Sequence, residues 1–148
     1  MISITLSGAD EVRARLRQIG GPILARAVDA TAEDAAAYIR QEAGKHSKSG
    51  ALVRSVGMWR VPGGWDVGHD AASAPQALWV HWGTKPHDIR PKSDGGKKAL
   101  RWASGGAFHF AKIVHHPGYG GDPWLVRAAA RAPADFQRHL TEQLAKDA

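Results

Sequence analysis

The sequence predicts an α+β fold, an antiparallel β-sheet packed by a long N-terminal helix and a C-terminal helix, with an extended central loop. Three observations predict it. Apolar residues recur at three- and four-residue spacing in two stretches, about 22–44 and 125–144, which is the helical period. The residues between them hold short apolar runs rich in Val, Trp and Phe, separated by Gly pairs and Pro, the pattern of hairpins. Strands gathered in the middle and helices at the ends are segregated rather than alternating, which excludes a parallel α/β sheet.

Residues 2–6 alternate Ile2, Ile4 and Leu6 with Ser3 and Thr5, the two-residue period of a half-buried strand. Asp10 is placed to cap a short helix carrying Val12, Leu16 and Ile19, ended by Gly20-Gly21. Pro22 suits the first turn of a second helix, where a missing N–H loses no bond. That helix should run to about Gly44, with Leu24, Ala27 or Val28, Thr31, Ala35 and Ile39 on the face that meets the sheet. Residues 45–50 read as a polar linker with no hydrophobic anchor.

Strands at 53–61 and 65–68 flank Pro62-Gly63-Gly64 and predict a hairpin, and 78–82 reads as a third strand because of its Trp and Val. Residues 83–97 hold three Gly, two Pro and many charges, and should form an exposed loop. A second hairpin pairs 99–103 with 107–114 around Ser104-Gly105-Gly106, with Leu100 and Trp102 expected to share a face with Phe108 and Phe110. Asp122-Pro123 opens the last helix, whose stripe is Leu125, Ala129, Ala132, Phe136, Leu140 and Leu144, with Pro133 expected to kink or restart it. Trp59, Trp79, Trp82, Trp102 and Trp124 fall in predicted strands or at a helix start, where burial is the commoner fate.

Length and composition narrow the partners. The 148 residues, 43% hydrophobic, suit one domain, residues 1–148, around one core. No apolar run approaches the roughly 18 residues needed to span a bilayer. No basic region followed by an apolar run stands at the N-terminus, so no secretion signal is expected. Cysteine is absent, which removes disulfides and thiolate metal sites and fits a chain made in a reducing cytoplasm. The net charge of +6 and a pI near 10.0 favour polyanionic partners. The cations concentrate at Lys85, Arg90, Lys92, Lys97, Lys98 and Arg101, against only Asp88 and Asp94 in the same stretch.

Catalytic patterns do not emerge. Eight His include His81, His87, His109, His115 and His116, but no H-x-x-x-H or H-E-x-x-H lies on a predicted helix. On a strand, His115 and His116 point to opposite faces. No G-x-S-x-G turn exposes a serine, and the Gly pairs match no phosphate-binding loop. The expectation is a protein that is not an enzyme, with no catalytic residues, no cofactor and no metal. Trp interleaved with basic residues could also stack bases, so a nucleic-acid-binding protein or nuclease of a mobile element is the alternative.

Four segments carry a resemblance. Ser49-Gly50-Ala51-Leu52-Val53-Arg54-Ser55-Val56 resembles TG-x-L-R-x-S-I, and 77–84, with Val80-His81-Trp82-Gly83-Thr84 at its end, resembles YA-x-x-VE-F-GT. Ile89-Arg90-Pro91-Lys92 with Lys98-Ala99-Leu100-Arg101-Trp102 is similar to I-x-PK…KAL-x-F. His116-Pro117-Gly118 with Pro123-Trp124-Leu125-Val126-Arg127-Ala128 is similar to HPG…PFL-x-x-A. These are motifs of the tail-completion and head–tail joining family (neck and minor tail proteins) of long-tailed bacteriophages, and they occur here in the family's order across 49–128. Lys48-Ser49 lacks the family's proline, and His81 stands in place of its acidic residue.

The resemblance implies a structural virion protein at the head–tail junction, made in the host bacterial cytoplasm and completing the tail. It implies a homo-oligomeric, hexameric ring around the DNA channel, set against connector or stopper and tail terminator or tail tube proteins. Non-specific contact with phage DNA is compatible with that place; membrane contact is not expected. Lys85, Arg90, Lys92, Lys97 and Lys98 become candidate contacts to neighbouring subunits or partners. Gly50, Leu52, Gly83, Thr84, Pro117, Gly118, Pro123 and Trp124 become the structural residues of the motifs. Gly83 and Gly118 lie where strand gives way to loop, positions that often need positive φ. The loop 83–97 and the linker 45–50 would then order on a neighbour.

Overall fold

Two long helices, α2 (Leu24–Gly44) and α5 (Trp124–Lys146), carry most of the regular structure in the computed structural model, which describes residues 9–92 and 95–146. Both follow from the apolar spacing, and α2 ends at Gly44 as expected. A short helix α1 (Ala9–Gln18) precedes α2. Between them, Ile19–Ile23 is a kinked turn in which Gly21 takes non-helical angles and Pro22 leads into α2. The expected strand at 2–6 lies outside the described residues. Asp10 lies within α1 rather than ahead of it.

The described residues divide into two compact units, Met1–Ala77 with Pro123–Ala148, and Leu78–Asp122. In the first unit α2 and α5 pack together. Their pairings run in opposite directions along the chain: Arg26 reaches Gln143, Asp34 reaches Arg138, and Glu42 reaches Arg127, so the helices are antiparallel. The buried face of α2 is Ala27, Ala32, Ala36, Ile39, Glu42 and Ala43, and it meets buried Trp124 and Ala128 of α5. Ala27 and Ile39 were on the expected stripe; Leu24, Val28, Thr31 and Ala35 are only partly covered. Small Ala side chains let the two backbones approach closely. Pro133 lies within α5, which continues through it as one helix rather than restarting.

Residues 45–50 are better anchored than their polarity suggested. The N–H groups of Lys45 and His46 donate to the last carbonyls of α2, and the His46 ring stacks on Trp124 at 5.4 Å. A four-residue helix, α3 (Ala51–Arg54), follows and brings Leu52 into the core. Then β1 (Val56–Val61) and β2 (Gly64–His69) form the expected hairpin in the register Val56 to His69.

The largest departure is at 78–82. This segment is helical, α4 (Gln76–Trp82), not a strand. A short apolar run has no periodicity to distinguish the two, and the turn before it decides. The Asp70 carboxylate accepts the Ala72 N–H and the Asp70 carbonyl accepts that of Ala74, and Pro75 stands immediately before the helix.

In the second unit β3 (His87–Ile89) pairs with β6 (Val114–His116), and β4 (Leu100–Ser104) pairs with β5 (Ala107–Ala111). The loop 83–97 therefore includes a paired strand. The fold class is α+β, with the antiparallel strands arranged as three two-stranded sheets among the described residues.

A candidate interaction surface

Polar side chains of the first unit are used to hold the helices together. Asp34 on α2 accepts from Arg138 at 2.7 Å and from His139 at 2.8 Å. The Arg138 bond, followed by that of His139, holds the Asp34 carboxyl below its ordinary range. Glu42 takes Lys45 one turn on and Arg127 of α5, and those two cations lower its pKa too. Asp29 accepts from the Trp65 indole N–H at 2.7 Å and from Arg60 at 3.1 Å, tying the β1–β2 hairpin to α2.

Ser55, His69 and Trp124 form a second network that sequence reasoning missed. Trp124 Nε1–H donates to His69 Nε2 at 3.0 Å, and His69 Nδ1 lies 2.8 Å from Ser55 Oγ. In a neutral ring Nε2 is then the acceptor, so Nδ1 carries the proton and donates it to Ser55. Ser55 Oγ in turn donates to the Leu52 carbonyl at 2.8 Å. The imidazole faces this serine as a donor, the reverse of what a base activating a nucleophile requires. The network is a bolt joining α3, β2 and the start of α5. Its members lie 14 and 55 residues apart, a spacing no linear motif records.

The second unit is assembled by close backbone approach. Thr84 and Tyr119 exchange both N–H···O bonds at 2.8 and 2.9 Å. Gly83 (φ 82°) and Gly118 (φ 87°) flank this bridge, as their positions predicted. A Cβ on Gly83 would stand 2.2 Å from the Tyr119 carbonyl oxygen, and one on Gly118 would stand 2.6 Å from that of Thr84. Only glycine fits either place. Gly83 also ends α4, its N–H donating to the Trp79 carbonyl at 2.8 Å.

The remaining motif residues have structural places. Gly50 (φ 75°) precedes α3, Leu52 is 3% exposed, and Trp124 is fully buried. Pro117 is exposed beside Gly118, and Pro123 is exposed just ahead of α5.

The surface of the second unit is apolar, aromatic and basic. Leu78, Trp79 and Trp82 of α4 are exposed, as are Trp102, Phe108 and Phe110 of the β4–β5 hairpin. Of the five Trp expected to be buried, only Trp124 is; Trp59 is exposed as well. The hairpin register also differs from the expected cluster. Trp102 faces His109 and stacks on it, while Phe108 faces Ala103 and Phe110 faces Arg101. Leu100 and Trp102 thus share one side of the ribbon with His109 and Ala111, and the two Phe lie on the other, a one-residue difference that exchanges faces. The Arg101 guanidinium lies 4.1 Å over the Phe108 ring.

Four of the five candidate contact cations come together. Arg90, Lys92, Lys97 and Lys98 line one depression with Arg101, floored by Pro91, Leu100 and Phe110. Lys85 is exposed but is not among the lining residues; its carbonyl instead receives a bond from the His87 ring. Arg90 pairs with Asp88, which also meets His115 across the β3–β6 ladder. His87 lies against His116 at 5.0 Å, but among the described residues no three His, Asp or Glu side chains gather as a metal would need.

A second depression, apolar and of about 440 Å³, lies wholly within the first unit between α2, β2 and α5. Val28, Ala32, Trp65, Ala132, Pro133 and Phe136 line it. No helix among the described residues is long and apolar enough to cross a membrane. Comparison of the chain with protein-family models, curated proteins and solved structures finds no match.

Proposed function

We propose that this chain is a structural subunit of the head–tail junction of a long-tailed bacteriophage. In this reading it completes the tail and joins it to the head as one copy in a ring around the DNA channel. The observation that carries the reading is the order of the four sequence blocks over 49–128, whose residues include the two glycines at the Thr84–Tyr119 bridge and the buried Trp124. Further support comes from the surface. Leu78, Trp79, Trp82, Phe108 and Phe110 are exposed large apolar side chains, and where such side chains gather they mark places where another protein sits. Ionic contacts and hydrogen bonds are spent on holding the helices, and Ser55 is set against nucleophilic use. The test is genetic: removing the protein should leave filled heads and finished tails that do not join.

A second reading, a nucleic-acid-binding protein of a mobile element, is favoured by one observation. Five cations surround a depression that offers Phe110 as a stacking surface. It predicts binding of short oligonucleotides by the isolated chain, weakening steeply with salt.

A further inference from the structure

The β4–β5 hairpin carries cations and aromatic rings on one face. Arg101 stands opposite Phe110 and Ala103 opposite Phe108, so these four side chains lie on the same side of the ribbon. Phe108 is 60% exposed and Phe110 66%, so neither ring is spent on the core. The Arg101 guanidinium lies 4.1 Å over the Phe108 ring, while Phe110 helps floor the adjoining depression of about 920 Å³.

That depression is basic without compensation. Lys92, Lys97, Lys98 and Arg101 line it, and no acidic residue does. Arg90 also lines it but is held by Asp88, which in turn bonds His115. The one other acid between residues 83 and 121 is Asp94, which lies outside the described residues. Lysines gathered in this way repel one another, and a polyanion is the ligand that relieves them.

The rings choose among polyanions. A duplex keeps its bases stacked at about 3.4 Å per strand and shows only their edges in the grooves, so its phosphates would meet the lysines while Phe108 and Phe110 met nothing. An acidic protein segment would likewise use the cations and leave the rings idle. A single strand offers both phosphates and base faces. Phe108 and Phe110 are two residues apart on one strand, about 7 Å between Cα atoms, a spacing that suits bases splayed apart rather than stacked. No Asn, Gln, Asp or Glu lines the depression to read base edges.

We infer that the basic depression and the Phe108/Phe110 face of the hairpin bind a short single strand of nucleic acid with little regard to its sequence. Phosphates sit at Lys92, Lys97 and Lys98, and bases stack on Phe110 and on the Arg101–Phe108 pair. The inference rests on the second reading above in taking a nucleic acid as the ligand; it does not depend on a place at the head–tail junction.

Fluorescence anisotropy with the full chain tests it. The labelled ligands are an oligothymidylate of about 12 nucleotides, within the roughly 4–16 that single-strand sites cover, a duplex of the same length, and an oligoglutamate of matching charge. The single strand should bind tighter than either of the others by about ten-fold, as expected for one base stacked on an aromatic ring. Phe110→Leu keeps an apolar side chain at an exposed position and removes the ring; it should cost the single strand about ten-fold and leave the duplex unaffected. Three phosphate contacts on a single strand give a slope of log affinity on log salt of about −2. Lys92→Gln/Lys97→Gln/Lys98→Gln should abolish most of that slope with circular dichroism unchanged. Should Phe110→Leu fail to fold, the comparison of ligands and the lysine variant still decide.

Equal binding of duplex and single strand, with Phe110→Leu without effect, would overturn the single-strand site and leave a nucleic-acid reading standing. Oligoglutamate bound as tightly as the single strand would assign the depression to an acidic protein and overturn both. Failure of all three ligands to bind at low salt would overturn both as well.

Discussion

Trp124 and Trp102 look alike in the sequence and differ completely in the structure. Trp124 is fully buried, donates to His69 and stacks on His46. Trp102 sits 42% exposed on a ribbon, stacked on His109. Trp124→Ala should therefore destabilise the protein by about 3–5 kcal/mol, because a cavity is left and the hydrogen bond to His69 Nε2 is lost with it. Trp102→Ala should change stability by no more than about 0.5 kcal/mol, as for other surface positions. Urea unfolding of the two variants checks this; equal losses would mean Trp102 is covered. Side-chain type predicts burial only when the element around it is itself covered, and nothing in the spacing of 99–111 announced a bare ribbon. The glycines were more legible. Gly118 follows β6 and Gly83 closes α4 rather than a strand, yet both take the positive φ expected of them.

Among the elements, α2 and α5 were readable because over twenty residues of helical period outweigh any single ambiguity. The segment 78–82 was not, since five residues, four of them apolar, fit either period and the deciding turn is made by Asp70 and Pro75 upstream. The groove was not readable either, for it exists only once Ala residues some hundred positions apart are brought opposite each other. The α2–α5 pairing also carries a pH dependence. Asp34 and Glu42 titrate below their ordinary values of 3.8 and 4.5 because Arg138 and Lys45, respectively, bond to their charged forms. A carboxyl with a lowered folded pKa stabilises the fold fully above its unfolded value, and that contribution is lost as the pH falls through the folded value. Stability should thus be level through neutral pH and decline below about pH 4.5. Thermal unfolding of Asp34→Asn/Glu42→Gln should show lower stability at neutral pH and a shallower acid decline; an unchanged acid slope would count against the pairing.

The basic depression is the element where charge can be varied with least harm to the fold. Lys92, Lys97 and Lys98 pair with no acidic side chain among the described residues, and all three are exposed. Changing all three to Glu should leave the melting temperature of the isolated protein nearly unchanged. Binding to an acidic neighbour should weaken by several kcal/mol, through lost attraction and new repulsion together. Under the proposed junction role, complementation of a phage lacking the gene reads this out, and full infectivity of the triple variant would remove these cations from the contact.

At the scale of the whole molecule, the two units divide the work differently. The first has a buried Ala–Ile–Trp core, ion pairs linking its helices and the Ser55–His69–Trp124 bolt. The second is made of short strands held by backbone contacts at Gly83 and Gly118, and it shows much of the exposed apolar and basic surface. If the chain is the junction subunit proposed above, its contacts should fail by leaving two finished parts separate, so deletion of the gene should give filled heads and complete tails side by side, with capsid shape and DNA content normal. Electron microscopy of the lysate and the size of the packaged DNA check both halves of that statement. Adding purified protein to such a lysate should restore infectious particles, because the missing step is association and needs no new synthesis. Empty heads in the deletion lysate would instead place the protein at DNA packaging, and normally joined particles would remove it from the junction altogether.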